Sequence, residues 1–215
     1  MKKAIVLGGT RGIGQAIALA LGSLPCKVIA TSRKDINTAR LSSVKRFAGL
    51  HKSTDILVLN TGGPPQKDFF AVSEAEWQQY HNQLFLGFCV LLQNLRINDN
   101  GYIFVITSYV IKEPIASLVL SSAYRSAFAS VFKVLSKQYA LRNISCINIA
   151  PGPIRTDRLQ ELVNNLSEYE QTLPMRRVGN PQELGNFIKA IVQYDIHYLN
   201  GVTINFDGGL SQYIF

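Results

Sequence analysis

Short apolar runs of strand length alternate with longer amphipathic segments along most of the 215 residues. The strand-like runs are 3–8, 27–31, 55–60, 101–107, 144–149 and 201–206, and the helix-like segments are 12–23, 40–50, 74–97, 122–141, 159–170 and 181–194. Because parallel strands need crossover connections, this alternation predicts a parallel sheet with helices on both faces. The pattern predicts one α/β domain over residues 1–215.

The first strand-like run ends in a glycine-rich turn, Gly8-Gly9-Thr10-Arg11-Gly12-Ile13-Gly14, which leads into a helical segment. In such turns the glycines permit a tight bend, close approach of a pyrophosphate, and packing of the helix on the strand. The N-terminus of the helix adds N–H donors and a partial positive charge. The alternative, an ordinary glycine-rich turn, is disfavoured because this turn opens an alternating β/α chain. We interpret it as a dinucleotide-phosphate site.

Polar or glycine-rich residues also follow the next four strand-like runs. They are Ser32-Arg33, Asn60-Thr61-Gly62-Gly63, Thr107-Ser108 and Ala150-Pro151-Gly152-Pro153. Ligands of open parallel sheets bind beyond the carboxyl ends of the strands, so these residues are expected to converge on one crevice. The fold class predicted is a doubly wound, Rossmann-type parallel sheet that holds a nucleotide cofactor.

Composition argues against several other classes of protein. The three cysteines show no CxxC or Cys/His ligand spacing, which argues against a metal site or a disulfide framework. No apolar run reaches the ~18 residues of a membrane span. The apolar segment after Met1-Lys2-Lys3 is too short for a signal peptide and is interrupted by Gly8 and Gly9. We therefore expect a cytoplasmic protein without a membrane partner. The net charge of +8 is spread along the chain without basic runs. It suits attraction of phosphorylated anions and does not predict nucleic-acid binding.

These motifs together resemble the short-chain dehydrogenase/reductase family over essentially the whole chain. Residues 8–14 resemble its TGxxxGIG turn, 60–63 its NNAG segment, 151–157 the PG…T element beside the nicotinamide, and 175–183 and 201–209 its C-terminal pattern. The resemblance implies a reductase of the 3-oxoacyl-carrier-protein type, acting on a small-molecule or carrier-linked carbonyl or hydroxyl substrate. It also implies cofactor contacts at Gly8, Thr10, Arg11, Gly12, Ile13, Gly14, Ser32, Arg33, Asp35, Asn60, Gly62, Arg125, Pro151, Gly152, Ile154 and Thr156.

The connection after the second strand is short for this family. Only residues 34–54 separate that strand from the one that begins at Asp55. We expect that one helix is missing and that Lys34-Asp35-Ile36-Asn37 forms a minimal edge strand. Asp35 then resembles the family aspartate near the adenine ring.

Charge near the second strand bears on the choice of cofactor. A dinucleotide without a 2′-phosphate is usually held by a carboxylate at the end of strand two. Here Ser32 and Arg33 occupy that stretch, and Arg11 lies inside the glycine turn. Because arginine pairs with phosphate in bidentate fashion, NADP(H) is predicted over NAD(H).

The family's catalytic relay of Asn, Ser, Tyr and Lys is largely replaced. Alignment places Leu84 at the asparagine position, Ser108 at the serine, Ser121 at the tyrosine and Arg125 at the lysine. Positions 121 and 125 still share one helical face. Arginine keeps the charge but does not release a proton near neutral pH, and serine is a far weaker acid than tyrosine.

Two hypotheses follow from this departure. In the first, an NADP(H)-linked oxidoreductase binds the substrate oxygen with Ser108 and Ser121. Arg125 then fixes the nicotinamide ribose and stabilises oxyanion charge. In the second, the protein binds cofactor with little or no catalysis, as a sensor, scaffold or partner subunit. Tyr109 and Tyr124 are alternative proton donors, and Glu113 is a further candidate acid.

The segments 74–97 and 122–141 carry many apolar residues, among them Leu84, Phe85, Leu86, Phe88, Phe128, Val131, Phe132 and Leu135. Such a broad apolar stripe indicates a subunit interface, and the family resemblance implies homodimers or homotetramers built on these helices. Burial under the sheet is the alternative.

Overall fold

The computed structural model describes residues 1–213 and contains one six-stranded sheet in which all strands are parallel. The strands are β1 (Lys2–Val6), β2 (Cys26–Ala30), β3 (Ser53–Leu59), β4 (Arg96–Ile106), β5 (Ser145–Pro151) and β6 (Val202–Phe206). Their order across the sheet is β2-β1-β3-β4-β5-β6. The doubly wound parallel fold predicted from the alternating pattern is confirmed.

Helices cover both faces of the sheet. They are α1 (Gly12–Gly22), α2 (Leu41–His51), α3 (Glu74–His81), α4 (Gly87–Asn94), α5 (Val119–Ala140), α6 (Asp157–Leu162), α7 (Leu166–Thr172) and α8 (Pro181–Gln193). On one face, Phe88 of α4 and Phe128 of α5 pack in a core with β-strand side chains such as Leu57. On the other, Ile17 of α1 and Ile188 of α8 pack with a second set. The central strands β1, β3 and β5 and the second half of β4 are largely buried on both sides, as their continuous apolar runs require, whereas the edge strands β2 and β6 are only partly buried.

The predicted edge strand at 34–37 is wrong. Residues 33–35 form a turn, and β2 is the edge of the sheet within the described residues. The turn is closed by Asp35, whose carboxylate accepts hydrogen bonds from the Ser32 amide and hydroxyl, both at 2.7 Å. Ile36 then enters the core, where it is buried against the α2 side of the sheet. With Ile36 anchored there, the chain leads directly to α2 without pairing to β2.

Two predicted helices are also divided. The segment 159–170 separates into α6 and α7, because the Asn165 side chain accepts from the Glu168 amide and starts a new helix. The segment 74–97 separates into α3 and α4, joined by a π-helical turn at Asn82–Leu86, and it ends at Asn94.

Many apolar residues of the segments 74–97 and 122–141 are buried within the chain itself. Leu84, Phe88, Phe128 and Phe132 are buried in the single chain, whereas Phe85, Leu86, Val131 and Leu135 are partly buried. Burial under the sheet therefore explains much of the stripe. No helix among residues 1–213 is both long and apolar enough to cross a membrane.

Candidate functional site

A cleft of about 1170 Å³ opens at the carboxyl ends of the strands. Residues from the turns after β1, β2, β3, β4 and β5 all line it, which is the convergence expected from the strand order. Its volume exceeds that of ordinary small-molecule pockets and suits an extended ligand together with a second molecule.

The glycine turn after β1 forms one wall of the cleft through Gly8, Thr10, Arg11, Gly12 and Ile13. Gly8 and Gly12 have φ values of +58° and +53°, a backbone conformation that residues other than glycine rarely adopt. Helix α1 begins at this wall with no side-chain cap and no acidic residue in its first turn. Its free N–H groups and dipole therefore fit an anionic group such as a diphosphate.

Gly14 lies behind this wall and does not line the cleft. A Cβ at Gly14 would collide with the backbone oxygen of Gly8, so the glycine permits α1 to approach the turn. Asn60 supports the same turn, because its side-chain amide donates to the carbonyl oxygens of Leu7 (3.2 Å) and Gly8 (3.4 Å). Gly14 and Asn60 shape the surface that a phosphate would meet.

Positive charge gathers at the β2 side of the cleft. Arg11, Arg33 and Lys34 line it, and none of them forms an ion pair within the described residues. Asp35 does not line the cleft, and its carboxylate stays within the turn that Ser32 closes. These hydrogen bonds from Ser32 lower the pKa of Asp35 and keep it ionised inside the turn.

Arg125 occupies the centre of the cleft floor and is only 8% exposed. Its Nη1 donates to the Ile106 carbonyl oxygen at the end of β4 (2.9 Å), and its Nη2 donates to the Thr61 carbonyl oxygen after β3 (3.4 Å). Its Nε donates to Ser121 Oγ at 3.1 Å. Burial, and secondly the charge of Arg158, lower the pKa of Arg125 to about 10. The guanidinium therefore stays charged at neutral pH and joins two strand ends.

The serines in and near the cleft, Ser108, Ser121 and Ser122, have separate hydrogen-bond partners. Ser121 Oγ accepts from Arg125, Ser108 Oγ accepts from the Val110 amide at 3.5 Å, and Ser122 Oγ donates to the Leu118 carbonyl oxygen. Ser108 and Ser121 line the cleft, whereas Ser122 does not. Because Ser121 is an acceptor for Arg125, its own hydroxyl proton is free to be donated to a ligand oxygen.

The candidate proton donors differ in their placement. Tyr109 lines the cleft, but burial, with smaller contributions from Tyr169 and Glu113, raises its pKa to about 12. Tyr124 packs edge-on against Trp77 outside the cleft lining. Glu113 accepts from the Gln212 amide at 2.7 Å and is not part of the lining either.

Sequence reasoning missed Gln83, Tyr80 and Arg158, all of which line the cleft. Leu84, the residue aligned with the family asparagine, is buried, and its neighbour Gln83 faces the cleft and donates to the Gly62 carbonyl oxygen at 2.8 Å. The π-helical turn at Asn82–Leu86 is the reason, since it changes the helical register that a continuous α-helix would give. In the sequence, the one indication that a polar side chain could face the cleft here was Gln83 next to Leu84.

The remaining expected cofactor residues Pro151, Gly152, Ile154 and Thr156 line the opposite wall, together with Arg158 of α6. Thr156 caps α6 by accepting from the Leu159 amide at 3.4 Å. Arg158 reaches across the cleft, where its Nη2 donates to the Pro64 carbonyl oxygen. The cleft thus has a glycine-rich wall, a charged floor and a further wall that an arginine connects to the loop after β3.

The chain resembles reductases and dehydrogenases in sequence and a solved NADPH complex in fold. Residues 37–211 match the model of a family described as enoyl-(acyl carrier protein) reductase. The chain is 27% identical to 3-oxoacyl-(acyl-carrier-protein) reductase FabG of Chlamydia pneumoniae, over 98% of this chain and 97% of the relative. It is also 27% identical to 2-dehydro-3-deoxy-D-gluconate 5-dehydrogenase of Dickeya dadantii, over 97% and 94%. A blue fluorescent protein from a metagenomic library, solved in complex with NADPH, superposes with a TM-score of 0.88 at 21% identity over 98% of both chains.

Proposed function

Because this chain belongs to the short-chain dehydrogenase/reductase family of oxidoreductases, which bind a nicotinamide cofactor, we propose that it is an NADP(H)-dependent member that interconverts a carbonyl and a hydroxyl group. The proposed substrate is a small molecule or a carrier-linked acyl group, as in the relatives' names. The active site is atypical, with Ser121 and Arg125 in place of the family's tyrosine and lysine.

One observation carries the choice of NADP(H). The carboxylate nearest the end of β2, that of Asp35, is held inside its own turn, while Arg33 and Lys34 line the cleft and Arg11 lies on the adjacent wall. A 2′-phosphate would meet cationic side chains there, and no carboxylate near the end of β2 lines the cleft to hold a ribose diol. Of the 16 cofactor contacts that the family resemblance implies, 14 line the cleft, and Gly14 and Asp35 lie in the turns that support it.

Calorimetric titration with NADPH and NADH tests the cofactor. We expect at least about tenfold tighter binding of NADPH, as one lost charge-assisted contact would give. Arg33→Gln should reduce that preference, whereas Arg46→Gln, a change on the exposed surface of α2, should leave it unchanged. Equal affinities for NADPH and NADH would overturn the preference.

In the proposed reaction, the cofactor supplies or accepts hydride when bound. Ser108 and Ser121 donate hydrogen bonds to the substrate oxygen, and Arg125 holds the nicotinamide ribose and stabilises negative charge on that oxygen. The proton comes from water or a ribose hydroxyl, because Arg125 stays charged and the pKa of Tyr109 is raised to about 12. A turnover screen over ketones, acyl thioesters and oxidised sugars tests the reaction, and cofactor binding without turnover of any class would refute it.

The replaced relay favours a second candidate, a cofactor-binding protein with little or no catalysis. Leu84 is buried and apolar, and Ser121 lacks the acidity of tyrosine. The triple change Leu84→Asn, Ser121→Tyr and Arg125→Lys separates the two candidates. Appearance of reductase activity where the wild type has none supports the second candidate, whereas loss of an existing activity supports the first.

We propose that the protein assembles as a homodimer or homotetramer through the α3–α5 side. The partly buried Phe85 and Val131 and the exposed Val134 on this side support the proposal. Light scattering after gel filtration tests it, and a monomeric mass would overturn it.

A further inference from the structure

Two arginine side chains from different elements, Arg125 and Arg158, line the cleft, and Arg125 is buried without a counter-charge. Arg125 of α5 has no carboxylate within 4.0 Å among residues 1–213. Its three hydrogen bonds go to a hydroxyl and two carbonyl oxygens, all uncharged acceptors. Because a buried charge is costly unless it is paired, this floor favours a ligand that brings negative charge.

Arg158 of α6 increases the positive charge at the same place. It lies near enough to Arg125 for its charge to lower the pKa of Arg125. Its Nη1 donates to Glu161 Oε2 at 2.9 Å and its Nη2 to the Pro64 carbonyl oxygen. The Arg158 and Glu161 side chains are 34% and 61% exposed, so their ion pair is weak and open to exchange with a ligand anion.

Polar side chains line the cleft beside the two arginines, among apolar ones such as Leu159 and Leu162 of α6. Side chains with amide or hydroxyl groups line it, namely Gln66, Gln79, Tyr80, Gln83, Ser117 and Tyr169. A few convergent amide and hydroxyl groups in a pocket with apolar walls orient a ligand by hydrogen bonds. These groups can therefore hydrogen-bond to the oxygen atoms of a substrate held by the arginines.

We propose that Arg158 is the substrate-binding residue for an oxyanion, so that the substrate is a small carbonyl compound bearing a carboxylate or a phosphate. Arg158 forms the direct bidentate contact, and the buried charge of Arg125 adds attraction while the carbonyl oxygen lies at Ser108 and Ser121. The Pro64 and Glu161 oxygens hold Arg158 in place until the anion replaces one of them. This inference rests on the proposed oxidoreductase function and specifies its substrate class.

Matched probe pairs test the inference by calorimetry on the NADPH-loaded protein. Acetoacetate and ethyl acetoacetate share a ketone and differ in the carboxylate; dihydroxyacetone phosphate and dihydroxyacetone differ in the phosphate. We expect the anionic member of at least one pair to bind at least about tenfold more tightly than the neutral member, and the two pairs separate carboxylate from phosphate. No preference in either pair, or no binding of either anion at tens of millimolar, would overturn the inference.

Variants assign the effect to Arg158. Arg158→Gln should remove the preference for the anion and leave the affinity of the neutral probe unchanged. Arg155→Gln is the matched control, because Arg155 pairs with Glu170 at 2.6 Å, is 56% exposed and does not line the cleft. Retention of the preference in Arg158→Gln, or an equal loss in Arg155→Gln, would refute the role of Arg158. Failure of NADPH itself to bind would instead refute the proposed cofactor, and this inference with it.

Discussion

Replacing Arg125 by lysine tests whether the buried guanidinium holds the cleft floor together. The guanidinium spans the Ile106 carbonyl oxygen at 2.9 Å and the Thr61 carbonyl oxygen at 3.4 Å, and it also reaches Ser121 Oγ at 3.1 Å. A lysine ammonium is a compact point charge on a single nitrogen, so it cannot reproduce the fork that joins β3 to β4. At least one of these buried acceptors is expected to lose its donor.

The size of the effect follows from that loss. A hydrogen bond to a charged group contributes about 1.5–3 kcal/mol. For a chain of this length, each kcal/mol corresponds to a change in Tm of roughly 2–4 °C. Losing one such bond therefore predicts a fall in Tm of about 3–12 °C for Arg125→Lys, and losing two predicts a larger fall.

Differential scanning calorimetry of the protein without ligand measures this directly. Arg46→Lys on the exposed surface of α2 is the matched control and should change stability by less than about 0.5 kcal/mol. A Tm for Arg125→Lys equal to that of the control would show that the guanidinium bridge contributes nothing to stability. Turnover by the same variant adds a functional result, because an existing activity should fall if Arg125 acts on the substrate oxygen or the ribose.

Two further predictions concern Gly14 in the glycine turn and His197, which lies beside Tyr102 of β4. Gly14→Ala should destabilise the protein by about 1–3 kcal/mol and weaken NADPH binding, because a Cβ would collide with Gly8. The control Gly49→Ala, which has open space around it on α2, should stabilise the protein by about 0.5–1 kcal/mol and leave NADPH binding unchanged. Melting curves and NADPH titrations measure both effects. His197 Nε2 lies 3.0 Å from the Tyr102 hydroxyl, and burial lowers the pKa of His197 below 6.5. The unfolding free energy should therefore fall as pH drops below about 6.5, because the unfolded imidazole then binds a proton while the native one stays neutral, and the fall should end once the native imidazole protonates. Urea midpoints that stay constant between about pH 5 and pH 8 would contradict this prediction.

The strands were predictable because burial on both faces of a parallel sheet demands continuous apolar runs. The runs at 55–60 and 144–149 correspond closely to β3 and β5, and the glycine turn at 8–14 lies where the first strand ends. The strand predicted at 101–107 begins earlier in the structure, because β4 starts at Arg96. It starts within a polar stretch that includes Asn98 and Asn100 and has no strand pattern. It pairs there because Ser53 of β3 lies opposite Arg96, a partner that local sequence does not reveal.

The site was predictable to the extent that it follows from strand polarity. Ser108, Ser121 and Arg125 all line the cleft, as expected from a shared helical face and a strand end. Asp35 was expected at the adenine side but is held within its own turn by the Ser32 amide and hydroxyl. Side-chain direction in a turn depends on which local donor the carboxylate reaches, and residue order does not specify that.

By itself, the amino-acid sequence determined the parallel α/β sheet, the glycine turn and the crevice at the strand ends, because apolar periodicity and glycine conformation act over a few residues. Only the tertiary structure decided that Gln83 replaces Leu84 at the cleft, that Arg158 crosses to Pro64, and that Arg125 is buried without a carboxylate. These features depend on helical register and on partners tens of residues apart. Such contacts exist only once the whole sheet has brought its loops together.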